Sequence, residues 1–208
     1  MIDRNLNLVQ AREEIGKLQT EHSAVIDGTS RFASNLRKLL TKMNGGSESA
    51  ISRANANLRR SWNALGISNS LVEAARSLNS VHYDPRHLSH LAFEWTQNGV
   101  EHGNSFSGQV NVMMQGGERG LVVSISDNGV GIPDLENRLA LEQNIYSADG
   151  FSMGRGYGLQ GAKNTEEVTF GFERIEGSFN VHLLVTVDQL RQVMSQQAQR
   201  ILAVQNYA

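Results

Sequence analysis

Three short segments of the chain combine polar side chains with glycine in a way that suits a ligand site. They are residues 94–102, 127–133 and 154–161. In the first, Glu94, Asn98 and His102 recur every fourth residue, so at about 100° per residue they share one face of a helix. Asn98-Gly99 inside a helix costs stability. Residues that weaken a helix without an evident structural benefit indicate a functional site.

The second segment follows an apolar alternating run, residues 121–126, which predicts a strand ending in a glycine turn. Asp127 at that strand end can hydrogen-bond the edge of a ligand. Gly129 and Gly131 allow bare backbone to approach the same ligand.

The third segment contains Gly-Tyr-Gly-Leu-Gln-Gly at residues 156–161. This spacing matches a dinucleotide-binding fingerprint, but that fingerprint requires a preceding strand and a parallel βαβ unit, and neither is predicted here. A glycine loop opening a helix at 158–166 remains. Its backbone N–H groups and positive helix end suit a phosphate group.

Composition narrows the classes of function. The net charge of −2 argues against a strongly basic nucleic-acid-binding protein, and the absence of cysteine excludes disulfides and thiolate metal sites. No apolar stretch reaches the roughly 18 residues of a membrane span, and the N-terminus lacks a signal-peptide pattern. We therefore expect a cytoplasmic protein that binds neither membrane nor nucleic acid.

The elements that position these segments follow from periodicity. Residues 1–80 read as helical: two amphipathic helices in 1–44 with a break at 27–29, then helices at 48–64 and 68–79. Such a hairpin can pair with a second copy in a four-helix bundle, so a homodimer is expected; the alternative is that these helices pack onto the rest of the chain. These residues carry 11 Lys and Arg against 7 Asp and Glu. The uneven charge supports a boundary between domains 1–80 and 81–208.

The second domain is predicted to contain a helix at 85–103 and two hairpins. Their strands are 109–115 with 121–126, and 168–176 with 178–187. Between the hairpins lie a short helix at 134–143 and a glycine-rich loop at 144–156, long enough to be a functional lid. A helix at 188–206 ends the chain.

With the three segments in this order and setting, the sequence resembles the GHKL ATPase superfamily, which groups gyrase, Hsp90, sensor histidine kinases and MutL. The resemblance covers about residues 85–187. It implies the Bergerat fold, an α+β two-layer sandwich with a mixed, largely antiparallel sheet and helices on one face. Here that fold would be preceded by an all-α N-terminal region.

The resemblance also implies ATP and Mg²⁺ as cofactors and assigns a role to each segment. Asp127 would accept a hydrogen bond from the adenine amino group, beside Gly129 and Gly131. Asn98 would coordinate Mg²⁺, Glu94 would be the general base, and His102 would lie near the phosphates. The loop 144–156 would be the ATP lid, with the phosphates held by Gly154, Arg155, Gly156, Gly158 and Leu159.

Within the superfamily, Glu94-x-x-x-Asn98 with His102-Gly103 is similar to the anti-sigma-factor and switch-type serine kinases. That similarity implies phosphorylation or sequestration of a regulatory protein partner. Two alternatives stay open. A helical hairpin before the ATPase domain is also typical of histidine kinases and phosphotransfer proteins, with His22 as the candidate phosphoacceptor. A nucleotide-gated binding module with little turnover is the other.

Overall fold

A five-stranded antiparallel sheet forms the centre of the molecule. A computed structural model of the chain describes residues 6–78, 81–102, 108–129, 166–175 and 177–205. The order across the sheet is β1-β2-β3-β5-β4, and every neighbouring pair is antiparallel. The strands are β1 Leu18–Asp27, β2 Gln109–Gly117, β3 Gly120–Asp127, β4 Thr169–Ile175 and β5 Ser178–Thr186.

Six described helices surround the sheet: α1 Leu8–Ile15, α2 Arg31–Met43, α3 Glu48–Asn63, α4 Ile67–Arg76, α5 Arg86–His102 and α6 Val187–Gln205. Serine caps begin α2 and α3, where Ser30 and Ser47 accept the backbone N–H of Ala33 and Ala50. Within the described residues, no helix has the length and apolarity needed to span a membrane.

One hydrophobic core joins helices α2–α5 to the sheet. Phe32, Trp62 and Phe93 pack together at its centre, with ring centroids 5.8–6.2 Å apart. Leu121 and Val123 of β3 belong to the same core. The apolar stripes of the N-terminal helices are therefore covered within the chain, and the core does not follow the predicted division at residue 80. The homodimer stays a prediction, but it no longer follows from uncovered helix faces.

Helix α1 lies on the opposite face of the sheet. Its Ala11 and Ile15 form a small second core with Val122 and Leu184. Successive strand residues point to opposite faces, so Val122 faces away from the core that holds Leu121. The two-layer α+β sandwich is confirmed, and α1 is the exception to the expected placement of helices on one face.

The prediction of a helix that includes residues 18–27 is wrong, because these residues form strand β1. Leu18, His22 and Val25 match a helical spacing, but the residues that turn inward are Thr20, His22, Ala24 and Ile26, which alternate. Gly16, with φ of 76°, ends α1 at a conformation that favours glycine. Pairing with β2, from Leu18 opposite Gly117 to Asp27 opposite Gln109, then decides the conformation.

Both predicted hairpins are confirmed, as are the helix that precedes them and the C-terminal helix.

The face of the sheet that carries α1 also holds a buried polar group. His182 is 2% exposed, with Nδ1 2.9 Å from Ser124 Oγ and Nε2 3.2 Å from Glu173 Oε1. Because a carboxylate only accepts hydrogen bonds, a neutral His182 donates from Nε2 and accepts from Ser124.

Candidate functional site

Helix α5 supplies the first part of the site, and its sequence sets where it begins. Pro85 stands in the first turn, where its missing N–H has no partner to lose. Asp84 caps the start, since its Oδ1 accepts the Arg86 N–H at 3.1 Å. Leu88, Ala92 and Trp95 are buried, so this side of the helix faces the sheet.

Gly99 lets α5 approach the end of β3. A Cβ built at Gly99 would lie 3.2 Å from Cγ2 of Val110 and 3.5 Å from Cβ of Asp127. No larger residue fits there without moving the helix or the strand. Asn98 is the neighbour of Gly99 in the chain, so this contact brings the asparagine next to the Asp127 strand end.

The Asp127 carboxylate is held by its own turn. Its Oδ1 accepts the Gly129 N–H at 2.7 Å. Asn128 stabilises the same turn, because its Oδ1 accepts the Gln109 N–H at 3.2 Å. Burial raises the pKa of Asp127, while the hydrogen bond from Gly129 and the charge of His102 oppose the rise. The result is a half-buried acceptor oriented at the end of a central strand.

A row of aromatic side chains runs beside Asp127. Phe179 is the β5 partner of Asp127 in the sheet register. Its ring centroid lies 6.2 Å from that of Phe172, which lies 6.3 Å from Phe170. Trp95 of α5 continues the row at 5.0 Å from Phe170. Phe170, Phe179 and Trp95 are at most 5% exposed, so these rings form an apolar layer behind the strand end that carries Asp127, and Phe172 is the partly buried member of the row.

Glu94 lies one turn before Asn98 on the same helix. Burial raises the pKa of its carboxyl, and the charges of His90 and Arg59 oppose that rise. Arg59 belongs to α3, and its guanidinium carbon lies 5.0 Å from the Phe93 ring centroid. A raised pKa makes a carboxylate a stronger base toward a nearby proton.

The structure brings some of the predicted residues together and separates others. Gly99, the neighbour of Asn98, lies against Asp127 where α5 reaches β3. The charge of His102 acts on Asp127, and Glu94 lies one helical turn before Asn98. His22 is not among them. It stands on β1, with Nε2 2.7 Å from the Leu65 carbonyl oxygen. The remaining predictions lie outside the described residues: Gly131, Gly154, Arg155, Gly156, Gly158 and Leu159, with the lid and its flanking helices.

Sequence reasoning missed two features of this site. The aromatic row had a signal, because Phe170 and Phe172 alternate along a predicted strand and therefore share a face. Arg59 had no such signal. It is one of several arginines on a helix, and only the packing of α3 against α5 places it beside Glu94.

Comparison with protein families gives one match. A family model described as Histidine kinase-, DNA gyrase B-, and HSP90-like ATPase matches residues 83–192, more than half of the chain. The match contains α5, β2–β5 and the start of α6. No match was found among curated proteins. Strand β1 and helices α1–α4 precede the matched segment.

Proposed function

The chain belongs to the histidine kinase-, DNA gyrase B- and HSP90-like ATPase family, and we propose that it is an ATP- and Mg²⁺-dependent protein kinase acting on a serine or threonine of a regulatory protein partner. Membership of the family supports a GHKL-type ATP-binding domain. The proposal of phosphate transfer to a serine or threonine rests on the resemblance to anti-sigma-factor and switch-type kinases, together with the chemistry available at the site.

The observation that supports this proposal most is the contact between α5 and β3. Gly99 lies against Val110 and the Cβ of Asp127, which supports a site that the Asn98 amide and the Asp127 carboxylate would share. Asp127 would accept from the adenine amino group. Phe172, which is only partly buried, would border the adenine ring, because bases stack well on aromatic faces.

Asn98 would hold Mg²⁺, which neutralises charge on the phosphates. Magnesium prefers oxygen ligands and is usually held by few protein groups in addition to phosphate and water. In the described part of the chain, no three His, Asp or Glu side chains form a group that could hold a metal ion. A site completed by the nucleotide is consistent with that. Gly129 and Gly131 would approach the base, and Gly154, Arg155, Gly156, Gly158 and Leu159 would hold the phosphates.

Glu94 would act as the general base toward the acceptor hydroxyl, with His102 close to the phosphates. Its burial and raised pKa suit that role. The geometry of His22 does not favour the histidine-kinase alternative. Its ring is bonded to a backbone carbonyl, and a Cβ at Gly66 would lie 3.0 Å from its Cε1. A phosphate on that ring would need β1 and the α3–α4 turn to separate.

Calorimetry on the full chain tests the nucleotide site. Asp127→Asn should weaken ATP binding about 10- to 150-fold. The substitution replaces one carboxylate oxygen by an NH2 group, so the charge-assisted hydrogen bond from the adenine amino group, worth about 1.5–3 kcal/mol, is lost. Asp188→Asn, which makes the same chemical change at an exposed carboxylate on α6, is the matched control and should bind ATP normally. Wild-type affinity in Asp127→Asn would show that the site is wrongly assigned.

Transfer chemistry tests the kinase. Glu94→Gln should keep ATP binding and lower phosphate transfer by about 10²–10⁴, the usual contribution of a general base. The phosphorylated partner should keep its label in acid, as phosphoserine and phosphothreonine do. Acid-labile label on His22 would contradict the proposal. Nucleotide-dependent partner binding with unchanged, slow turnover in Glu94→Gln would favour a binding module instead.

A further inference from the structure

A cleft between α3, α4 and α5 opens on the side of α5 that carries Glu94. Its volume is about 250 Å³. Trp62 and Phe93 are buried at its floor, and Val72 on its wall is 38% exposed. The Ser68 and Ser89 hydroxyls lie 2.8 Å apart across it. This is enough room for one apolar side chain, with hydroxyl groups available to its backbone.

The rim of the cleft is basic. Arg59, Arg86 and His90 line it, and all three are exposed. Arg86 is already paired with Asp84. Arg59 is held over the Phe93 ring, so its guanidinium stands where the apolar floor meets the rim. A cation fixed beside an apolar cavity is complementary to a ligand that carries an apolar group next to an anion.

Two residues of the cleft also act on the proposed base. His90 precedes Glu94 by one helical turn, about 6 Å along the axis. Both His90 and Arg59 act electrostatically on Glu94. A ligand seated in the cleft therefore contacts the same two side chains that surround the proposed base.

From these observations we propose that the cleft is the docking site for the protein partner, and that it takes an acidic segment in which a carboxylate neighbours a leucine-like side chain. The apolar side chain sits on Trp62 and Phe93, and the carboxylate pairs with Arg59. The acceptor hydroxyl of the same segment is thereby held on the Glu94 side of α5. This inference rests on the proposed kinase function, and it names the chemistry by which that kinase recognises its substrate.

A peptide titration followed by two-dimensional amide NMR on the full chain tests the docking site without any phosphate transfer. The probe is a blocked peptide containing leucine, aspartate and serine, and its controls replace aspartate by asparagine or by lysine. The chain has two tryptophans, so each spectrum contains its own reference. Trp62 lines the cleft, whereas Trp95 packs against Phe170.

We expect the acidic peptide to shift the Trp62 signal and leave the Trp95 signal unmoved. The dissociation constants of the asparagine and lysine peptides should be at least fivefold higher than that of the acidic peptide. Arg59→Gln should weaken the acidic peptide about 5- to 20-fold, the effect of losing one partly exposed charged hydrogen bond of about 1–1.8 kcal/mol. The matched control is Arg60→Gln, because Arg60 is also exposed on α3 but contacts Asn57 and does not line the cleft.

Several outcomes would overturn the docking site. They are equal binding of the three peptides, equal effects of the two arginine substitutions, and displacement of the acidic peptide by a short single-stranded oligonucleotide. ATP affinity is also measured in Arg59→Gln, so that an effect on the peptide can be told apart from an effect on the nucleotide site. If the unsubstituted protein binds ATP and transfers phosphate but does not select the acidic peptide, only the docking site is rejected. If it selects the acidic peptide but transfers no phosphate, only the kinase function is rejected.

Discussion

Gly99→Ala perturbs the one contact on which the site depends. The added methyl would lie 3.2 and 3.4 Å from the two methyl groups of Val110 and 3.5 Å from Cβ of Asp127. Carbon atoms pack best at about 3.5–4.0 Å, so the crowded contacts are those with Val110 of β2. Relieving them moves α5 away from β2 and its neighbour β3 by a few tenths of an ångström. Asp127 and the backbone next to Asn98 move apart with them.

The expected magnitude combines two opposing effects. Alanine favours a helix interior over glycine by about 1 kcal/mol, whereas overpacking a core costs about 1–3 kcal/mol. The free energy of unfolding should therefore fall by only about 0–2 kcal/mol, a decrease in Tm of at most about 8 °C for a chain of this size. ATP affinity should fall by up to about tenfold, because a shift of a few tenths of an ångström uses most of the roughly 0.5 Å within which a site must hold its geometry.

Thermal melts and ATP calorimetry on the same samples measure both effects, and a double substitution provides the control. Val110→Ala removes the two closest methyl groups, so Gly99→Ala with Val110→Ala should recover ATP affinity to within about threefold, although Val110→Ala alone lowers stability. Unchanged ATP affinity in a destabilised Gly99→Ala protein would refute the reasoning, because the α5–β3 distance would then not control the site.

Three further predictions concern stability. Asp127→Asn should raise the free energy of unfolding of the nucleotide-free protein by about 0.5–2 kcal/mol, because burial penalises the carboxylate; a lower Tm would contradict this. Burial lowers the pKa of His182 from 6.5, although the charge of Glu173 opposes this shift. The contribution of neutral His182 to the free energy of unfolding is therefore complete above about pH 6.5, and it is lost as the pH falls through the lower pKa of the folded state. His182→Gln should flatten that part of the stability profile in urea titrations, and an unchanged slope would exclude it. Gly117→Ala would place a Cβ 2.3 Å from the Ile15 carbonyl oxygen and should cost about 1–3 kcal/mol, with faster amide exchange in α1 than in α5.

The local signals in the sequence predicted much of the site. Asp84-Pro85 marked the start of α5, and alternation marked both hairpins, because capping and periodicity depend on neighbouring residues. The polar face of α5 and the glycine turn after β3 were visible for the same reason. These features placed Asn98 and Asp127 on the correct elements before any packing was known.

Contacts between distant residues decided the rest. Leu18 pairs with Gly117, and no pattern within residues 18–27 shows that such a partner exists, so a strand there resembled a helix. The placement of α1 on the outer face depends on Val122 and Leu184 in the same way. Gly99 looked like a helix defect, yet its lack of a side chain is what lets α5 meet β3.

By itself, then, the sequence determined that the chain carries the motifs of an ATP-binding family and which elements hold them, because both depend on residue types and short spacings. Only the tertiary structure decided that β1 joins the sheet, that α2–α4 share the core of the ATP-binding domain, and that Arg59 stands beside Glu94. The physical reason is that each of these depends on which surfaces are buried against each other, and burial is settled by the whole chain at once.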